Sequence, residues 1–333
     1  MSRRPFFSVV IDNHNYGRFL RECVDSVLSQ DYPREDLEVV VVDDGSTDES
    51  RPILASYGDR IRAVLQERQG QASAFNRGFS EARGEVVCLL DSDDVCLPGK
   101  FAALRPLFDD PKVGVVQHYL QDVDISKNPI REDVPEWPAR YTIDDFLDAR
   151  THFAATSGLA FRRAALDSAL PIPKELFYYL DDFLTARALF SWELANVPRV
   201  LGLHRVHGSN WCAGGYQDPK KMEVDFRMRE IFSDHLDLWL KESGRSLTPR
   251  YVNRQRLELI RRKVLYEALR ARPAAAWDEW FLGLRSAGAG SFGGFRLATL
   301  LLAVLSPTLY LSAYSLYSGA AGLKDARLRA FPE

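Results

Sequence analysis

Apolar runs alternate with amphipathic stretches through the first hundred residues of the chain. Four runs rich in β-branched and aromatic residues predict buried strands: Phe6–Ile11, Leu37–Val42, Ile61–Gln66 and Val86–Leu90. Helical spacing of apolar residues lies between them, first over Phe19–Leu28, then over Ile53–Tyr57 and Gln71–Phe79. Alternating strands and helices form the βαβ unit, so the pattern predicts an α/β fold built on a parallel sheet.

Polar side chains follow three of these strands at the point where each strand ends. The three pairs are Asn13 and His14, Asp43 and Asp44, and Asp91 and Asp93. Carboxyl ends of neighbouring parallel strands share one edge of a sheet, so we expect these side chains to converge. Crowded carboxylates favour a hard cation such as Mg²⁺ or Mn²⁺, which also binds phosphate. An isolated D-x-D is more often a solvated acidic turn, and the convergence argues against that interpretation.

Several of these segments together look like glycosyltransferase family 2. They are Phe7–Ile11, Asn15-Tyr16, Ser26–Gln30, Val42–Asp48, Gly70–Asn76 and Leu90–Asp94, and the resemblance thins beyond residue 110 and ends near residue 212. That family has the GT-A fold, uses nucleotide-diphosphate sugars and inverts the anomeric centre. The resemblance therefore implies an α/β fold of the GT-A type, with a Rossmann-like, mostly parallel sheet, flanking helices and a helical C-terminal extension.

The resemblance also divides the chain. It implies a GT-A domain over 1–215, in which 1–110 bind the nucleotide sugar and 111–215 bind the acceptor. Residues 216–333 then form the helical extension. We expect a transferase that moves a sugar from a nucleotide-diphosphate sugar, with a UDP-sugar favoured, to a hydroxyl of a glycan or lipid-linked acceptor. Cell-surface polysaccharide or glycolipid synthesis is the setting that the resemblance implies.

The donor-side residues carry over by resemblance, position by position. Asn13 and His14 line the nucleobase and ribose, Asp44 accepts a hydrogen bond from a uracil ring, and Asp43 is a second candidate beside it. The remaining donor-side expectations are Gln71 at the nucleotide, Asp91 at the ribose and metal, Asp93 at the metal, Arg205 at the diphosphate and His207 as a positive charge or metal ligand. A purely structural histidine is the alternative for His207.

An inverting transferase also needs a base that takes the proton from the acceptor hydroxyl. By resemblance this base is Asp182, with Asp181 in a supporting role; the alternative is a helix N-terminal cap, for which Asp is also favoured. Ser157 and Gly158 resemble the acceptor-side loop, where small residues let a sugar approach the backbone. Trp211 either stacks on a sugar ring or packs in the core.

Composition changes this picture little. The net charge of −3 gives no reason to expect a nucleic-acid partner. The four cysteines form no C-x-x-C pair, so we expect reduced thiols and a cytoplasmic protein. The apolar run before Asp12 is too short to serve as an export signal.

The segment 297–323 contains no charged residue. As one helix it would measure about 40 Å against a bilayer core of about 30 Å, but Pro307 interrupts it. A helix in the membrane interface or a re-entrant hairpin, a helix packed on protein, and a true span all stay open. Eight basic residues against two glutamates between Arg250 and Arg272 favour contact with an anionic cytoplasmic leaflet.

Two other functions are compatible with acidic strand ends. One is a sugar nucleotidyltransferase, for which a glycine-rich, basic phosphate loop is expected near the N-terminus; Asp12–Gly17 is not such a loop. The other is a non-catalytic nucleotide-sugar sensor or scaffold, which would have lost the base or the metal carboxylates. The G-x-G-x-x-G of Gly288–Gly293 follows a helical pattern instead of a strand, so it predicts a hinge and no dinucleotide site.

Overall fold

The computed structural model describes residues 6–130, 136–176, 178–208, 210, 218–286 and 299–319, with side chains described up to residue 313. The chain forms two compact units. The sheet unit comprises Met1–Phe146, Arg150–Asn210 and Met228–Arg245, and the helical unit comprises Leu147–Ala149, Trp211–Arg227 and Ser246–Glu333. The Gly288–Gly293 motif lies outside the described residues.

One sheet organises the sheet unit. Its described strands are β1 Phe7–Asn13, β2 Leu37–Asp44, β3 Arg62–Gln66, β4 Val86–Asp91, β5 Val95–Cys96, β6 Val113–Val123, β7 Arg140–Tyr141, β8 Leu159–Arg162 and β9 Glu193–Arg205. Their spatial order is β3-β2-β1-β4-β8-β6-β9-β5, with β7 beside β9. The first four strands and the pair β6–β9 are parallel, whereas β8, β5 and β7 run antiparallel to their neighbours. The expected mostly parallel α/β sheet is confirmed.

Strand register brings the polar strand ends together. β1 lies between β2 and β4, with Asn13 opposite Asp43 on one side and Asp12 opposite Asp91 on the other. All three strands run in the same direction, so their carboxyl ends lie at one edge. The predicted convergence of these ends is confirmed, and Asp12 joins it.

Helices flank this sheet. They are α1 Gly17–Leu28, α2 Ser50–Ala55, α3 Gln71–Glu81, α4 Lys100–Leu104, α5 Ile143–Leu147, α6 Arg163–Asp167 and α7 Leu180–Leu189. The apolar face of α1 is buried in the main core, as its spacing predicts. On α3, a Cβ added at Gly78 would lie 2.3 Å from Val10 Cγ1, so the contact of α3 with β1 requires a glycine.

Long helices dominate the rest of the chain. They are α8 Pro219–Ser243, α9 Pro249–Leu269 and α10 Pro273–Ser286, followed by helical residues 299–305 and the helix Pro307–Gly319. The Thr248 side chain caps α9 by accepting a hydrogen bond from the backbone N–H of Tyr251. Met222, Ile260, Val264, Leu300 and Ala303 belong to the separate core of the helical unit.

The apolar C-terminal segment is divided at the predicted place. One helix ends at residue 305 and the next begins at Pro307, whose ring nitrogen has no hydrogen to donate to the preceding turn. None of the helices in the described residues is long and apolar enough to cross a bilayer. Membrane-surface contact of 297–323 stays a prediction.

The basic stretch from Arg250 to Arg272, which comprises most of α9 and the residues after it, has acidic partners. Arg250 pairs with Asp148, Arg262 with Asp225 and Arg270 with Glu223, and Arg261, Lys263 and Arg272 also form ion pairs. Partnered guanidinium groups attract lipid phosphates less strongly than free ones, because the local charge is already balanced. This pairing weakens the electrostatic part of the argument for an anionic leaflet.

Candidate active site

The ends of β1 and β2 are joined by a buried hydrogen-bond network. Asn13 Nδ2 donates to Asp43 Oδ1 at 3.0 Å and to Ser46 Oγ at 3.1 Å. Arg51 Nε donates to Asp43 Oδ2 at 2.8 Å. Burial alone would raise the pKa of Asp43, but hydrogen bonds from Arg51, Ser46 and Asn13 outweigh it and lower that pKa. Asp43 is therefore a buried anion that holds the two strand ends together.

Asp44 accepts hydrogen bonds from the chain that leads into α3. Its carboxylate accepts from the backbone N–H groups of Gln69 and Gly70, both at 2.7 Å, and from Gln66 Nε2 at 2.8 Å. Gly70 has φ +93°, a conformation that favours glycine. The His14 ring meets the same residue, with Nδ1 2.7 Å from the Asp44 carbonyl oxygen. Asp44 thus fixes the start of α3 directly before Gln71.

Gln71 connects this loop to the carboxylates at the end of β4. Gln71 Nε2 donates to Asp91 Oδ1 at 3.1 Å. The Asp91 backbone N–H donates to Ser157 Oγ at 3.0 Å, and the Asp94 N–H closes the turn onto the Asp91 carbonyl at 3.0 Å. The Asp12 and Asp91 side chains are hydrogen-bonded to each other. Four carboxyl groups, those of Asp12, Asp91, Asp93 and Asp94, therefore lie around one turn.

This cluster holds more negative charge than its protein neighbours balance. Burial, aided by the charge of Asp93, raises the pKa of Asp12 to about 7, although the hydrogen bond with Asp91 opposes the rise. Burial and the neighbouring carboxylates raise the pKa of Asp91 well above its usual range, and the pKa of Asp94 to about 6. Within the described residues, Asp12 Oδ1 and Asp94 Oδ2 are buried without a hydrogen-bond partner.

The donor set fits a hard divalent cation. Oxygen ligands, surplus negative charge and unsatisfied buried oxygens are what Mg²⁺ favours. Among the described residues, no three His, Cys, Asp or Glu side chains already converge on a metal position. Mg²⁺ does not require such a cage, because it commonly binds through one or two carboxylates and completes its shell with substrate phosphates and water. Asp91 and Asp93 remain the candidate ligands.

The last residue of β9 and the residues that follow it contact Asp93. His207 Nε2 lies 3.0 Å from Asp93 Oδ2, and Asn210 Nδ2 donates to the same oxygen at 3.2 Å. Arg205 Nε donates to the Asp93 carbonyl oxygen at 2.9 Å. These contacts place His207 and Arg205 at the carboxylate turn together with Asn210. The expected role of His207 as a positive charge or metal ligand stays a prediction.

Arg205 is already bound by protein groups. Its side chain is 3% exposed, with Nη1 donating to the Ile125 carbonyl oxygen at 2.8 Å and Nη2 to Glu22 Oε2 at 2.6 Å. Its guanidinium carbon lies 4.7 Å from the centre of the Phe19 ring. In this arrangement Arg205 supports the backbone behind Asp93. Contact with a diphosphate, the expected role, stays a prediction.

A second carboxylate pair begins α7. Asp181 Oδ1 accepts from the Asp182 N–H at 2.9 Å and a carboxylate oxygen of Asp181 also accepts from the backbone of Thr156. Burial and the adjacent Asp181 raise the pKa of Asp182 to about 7, although Arg229 opposes the rise. A base whose pKa lies near the working pH is well suited to proton transfer. The N-cap residue of α7 is Tyr179, so Asp181 and Asp182 both lie within the first turn, and the Asp181 carboxylate accepts a hydrogen bond from a backbone N–H of that turn.

The 3-10 turn Thr156–Gly158 lies between the two carboxylate groups. Ser157 is 1% exposed, and a Cβ added at Gly158 would lie 2.8 Å from the Ala154 Cβ and 3.0 Å from the His118 carbonyl oxygen. Packing therefore accounts for the glycine in this structure, whereas the sequence argument relied on the approach of a sugar. Trp211 lies outside the described residues.

Sequence reasoning missed four residues of this region: Asp12, Asp94, Lys100 and Arg229. Asp12 and Asp94 carried a signal, since one precedes Asn13 at a strand end and the other follows the D-x-D directly. Lys100 reads as a surface residue of a short helix, and Arg229 lies far along the chain on α8. Only the folded chain brings those two to the site.

Comparison with known proteins relates residues 8–170 to a family. The profile described as "Glycosyl transferase family 2" matches residues 8–170. Residues 8–170 form a glycosyl transferase family 2 domain. An uncharacterized glycosyltransferase of Nostoc sp. is 35% identical to this chain over 212 residues, which cover 61% of this chain and 65% of that protein. The putative glycosyltransferase EpsH of Bacillus subtilis is 26% identical over 217 residues, 62% of each chain. The chain matches less than two thirds of the length of either relative.

Solved structures with the same fold extend beyond the family 2 domain. TarS residues 1–349 of S. aureus, in complex with UDP-GlcNAc, has a TM-score of 0.57 at 19% identity, covering 82% of this chain and 88% of that one. The mannosyltransferase PcManGT of Pyrobaculum calidifontis, in complex with GDP-Man and Mn²⁺, has a TM-score of 0.52 at 22% identity, covering 95% and 85%. At these identities the likeness shows the fold, and the expected GT-A type with a helical C-terminal region is confirmed.

Proposed function

We propose that this protein transfers a sugar from a nucleotide-diphosphate sugar, with a UDP-sugar favoured, to an acceptor hydroxyl with inversion of the anomeric centre. The observation that carries the proposal is the Thr156–Gly158 turn. Its Thr156 backbone contacts Asp181, beside the proposed base, and its Ser157 hydroxyl accepts from the backbone N–H of Asp91, a proposed metal ligand. One short turn therefore links the two carboxylate pairs that such a reaction needs.

On the donor side, Asn13, His14, Asp43, Asp44 and Gln71 bind and orient the nucleoside. Asp93 and Asp91 would hold Mg²⁺ or Mn²⁺, and His207 would either fix Asp93 or act as a further ligand. When bound, the cation supplies charge neutralisation to the diphosphate leaving group. Two structural neighbours support this assignment, since one was solved with UDP-GlcNAc and the other with GDP-Man and Mn²⁺.

On the acceptor side, Asp182 acts as the general base. The acceptor oxygen forms a bond to the anomeric carbon while the bond from that carbon to the diphosphate oxygen breaks, and the hydroxyl proton passes to the Asp182 carboxylate. Asp181 holds the first turn of α7 through the Asp182 N–H. Ser157, Gly158 and Trp211 form the acceptor side.

We further propose a glycan or lipid-linked acceptor in cell-surface polysaccharide or glycolipid synthesis, with the protein at the cytoplasmic membrane surface through 297–323. Cosedimentation with liposomes tests this part. Binding to anionic vesicles that persists at high salt supports insertion of apolar side chains, because salt screens a purely electrostatic contact. The proposal fails if the full chain ignores both anionic and neutral vesicles.

The decisive experiment measures sugar transfer with a panel of nucleotide sugars, with and without Mn²⁺, and determines the anomeric configuration of the product by NMR. Asp182→Asn should lower turnover by about 10²–10⁴-fold while donor affinity stays the same, because general-base catalysis contributes about that factor. Arg227→Gln, at an exposed position, is the control. Near-normal turnover in Asp182→Asn would remove the base assignment. Absence of nucleotide-sugar binding in wild type would favour a different class of protein.

A further inference from the structure

Arg229 contacts the residue that precedes α7. It lies on α8, outside residues 8–170, and its part of that helix, Met228–Arg245, belongs to the sheet unit. Arg229 Nη2 donates to Tyr179 Oη at 2.7 Å. Its guanidinium carbon lies 5.3 Å from the centre of the same ring, within the range of a cation–π interaction. Two contacts to one side chain define the position of both residues.

Tyr179 has an unfavourable backbone conformation. Its φ is +69°, in the left-handed region that residues with a Cβ seldom adopt. The Tyr179 carbonyl oxygen accepts from the Phe183 N–H at 2.8 Å, which forms the first turn of α7. Asp181 and Asp182 lie inside that turn. A residue in this conformation must be held in place by its surroundings. The Arg229 contacts to Tyr179 therefore help to set the orientation of Asp181 and Asp182.

Charge around Asp182 is unevenly distributed. Asp181 adds a like charge next to it, while Arg229 attracts its carboxylate. Other charged groups packed at α7 have partners of their own. Arg187 pairs with Glu242 at 3.4 Å, and the His235 ring rests against Phe183 with Nδ1 2.8 Å from the Ile231 carbonyl oxygen. Burial and Asp181 raise the pKa of Asp182, and the positive charge of Arg229 opposes this rise.

We propose that Arg229 is a positioning residue for the base: it holds the turn before α7 through Tyr179 and places a positive charge near the carboxylate of Asp182, which accepts the proton of the acceptor. The inference rests on the proposed function of Asp182. It gives α8, which lies beyond the family 2 domain, a part in the reaction. The first turn of α7 depends on α8 for its geometry and for the positive charge of Arg229 near Asp182.

The test compares the pH dependence of kcat/KM in wild type, Arg229→Met, Arg229→Lys and the control Arg227→Met, which removes an exposed charge from the same helix. In Arg229→Met the acidic limb should move to higher pH by about one unit, in line with the loss of a nearby opposite charge. Arg229→Lys, which keeps the charge, should stay closer to wild type. Donor KM should change little in any of them. The inference is overturned if Arg229→Met and Arg227→Met share the wild-type limb.

Two further measurements keep the outcome decisive. Tyr179→Phe removes the hydrogen bond and keeps both the ring and the Arg229 cation. It should therefore lower kcat without moving the acidic limb of the pH profile. If Arg229→Met does not fold, this variant still tests the positioning role, because an unchanged kcat contradicts it.

If wild type transfers no sugar, the proposed function fails. The inference can then still be tested by ¹³C NMR titration of the Asp182 carboxyl group, whose signal is assigned with Asp182→Asn. Its midpoint should rise in Arg229→Lys less than in Arg229→Met, and identical midpoints in all variants overturn it.

Discussion

The Lys100 ammonium donates a hydrogen bond to the carbonyl oxygen of Ser157 at 2.9 Å, and Lys100 is 1% exposed. The Ser157 hydroxyl in turn accepts from the Asp91 N–H and is hydrogen-bonded to the Asp94 side chain. Lys100 also reaches the thiol of Cys96. A buried ammonium is costly without such partners. One buried lysine therefore supports the Thr156–Gly158 turn, which is hydrogen-bonded to the candidate metal ligand Asp91.

Removing this ammonium should loosen the turn. We expect Lys100→Met to lower the free energy of unfolding by about 1–3 kcal/mol, because the Ser157 carbonyl oxygen loses its buried donor. Chemical denaturation measures this, with Lys112→Met at an exposed position as the control. A variant as stable as wild type, with unchanged nucleotide binding, would show that the hydrogen bond from Lys100 is dispensable.

Asp93 should be needed for the metal-dependent part of nucleotide binding. A ligand that binds the native state stabilises it by RT ln(1 + [L]/Kd), about 2.7 kcal/mol at a hundredfold excess over Kd. We expect Mn²⁺ to increase the melting-temperature shift caused by a nucleoside diphosphate in wild type and to add little in Asp93→Ala. Asp59→Ala, at an exposed site, should behave as wild type. Equal Mn²⁺ effects in Asp93→Ala and wild type would exclude Asp93 as a ligand.

The pKa of Asp182 should be visible in stability without any substrate. Burial and Asp181 raise the pKa of Asp182 in the folded protein from 3.8 to about 7. The protonated carboxyl group therefore contributes its full stabilisation of the native state below pH 3.8. That stabilisation is lost as the pH rises through 7. Asp182→Asn does not titrate. We therefore expect the variant to gain stability relative to wild type between pH 5 and pH 8, by roughly 2–3 kcal/mol.

Thermal unfolding at both pH values measures this difference. The exposed Asp59→Asn serves as the matched control, because it removes a carboxyl group without changing a buried one. A stability difference between Asp182→Asn and wild type that is the same at pH 5 and pH 8 would mean that the pKa of Asp182 is ordinary.

Gly78 should resist substitution for a steric reason. In open space, alanine in a helix interior is about 1 kcal/mol better than glycine. At Gly78 the added Cβ meets Val10 Cγ1 at 2.3 Å, so we expect Gly78→Ala to destabilise by about 1–3 kcal/mol through overpacking. In a Val10→Ala background the same change should cost less, since the opposing methyl groups are gone. Additive effects in the double variant would reject this contact as the cause.

The order of strands and helices was readable from the chain because it depends on local periodicity. Apolar runs that end at Ile11, Val42 and Leu90, each followed by polar residues, marked both the strands and their functional ends. Parallel strands joined by helices must place those ends together. The resemblance to family 2 motifs added the roles expected of Asp93 and Asp182. These features lie within short windows, where side-chain pattern and backbone conformation are directly coupled.

Other features depended on residues distant in sequence. The register of β1 against β4 put Asp12 beside Asp91. The packing of α4 buried Lys100 under Ser157, and α8 brought Arg229 to Tyr179, contacts that join residues 57 and 50 positions apart. The amino-acid sequence by itself determined which strand ends carry the chemistry. The tertiary structure alone decided which cations and carboxyl groups neighbour them, because electrostatic effects act through space and the burial that strengthens them exists only after folding.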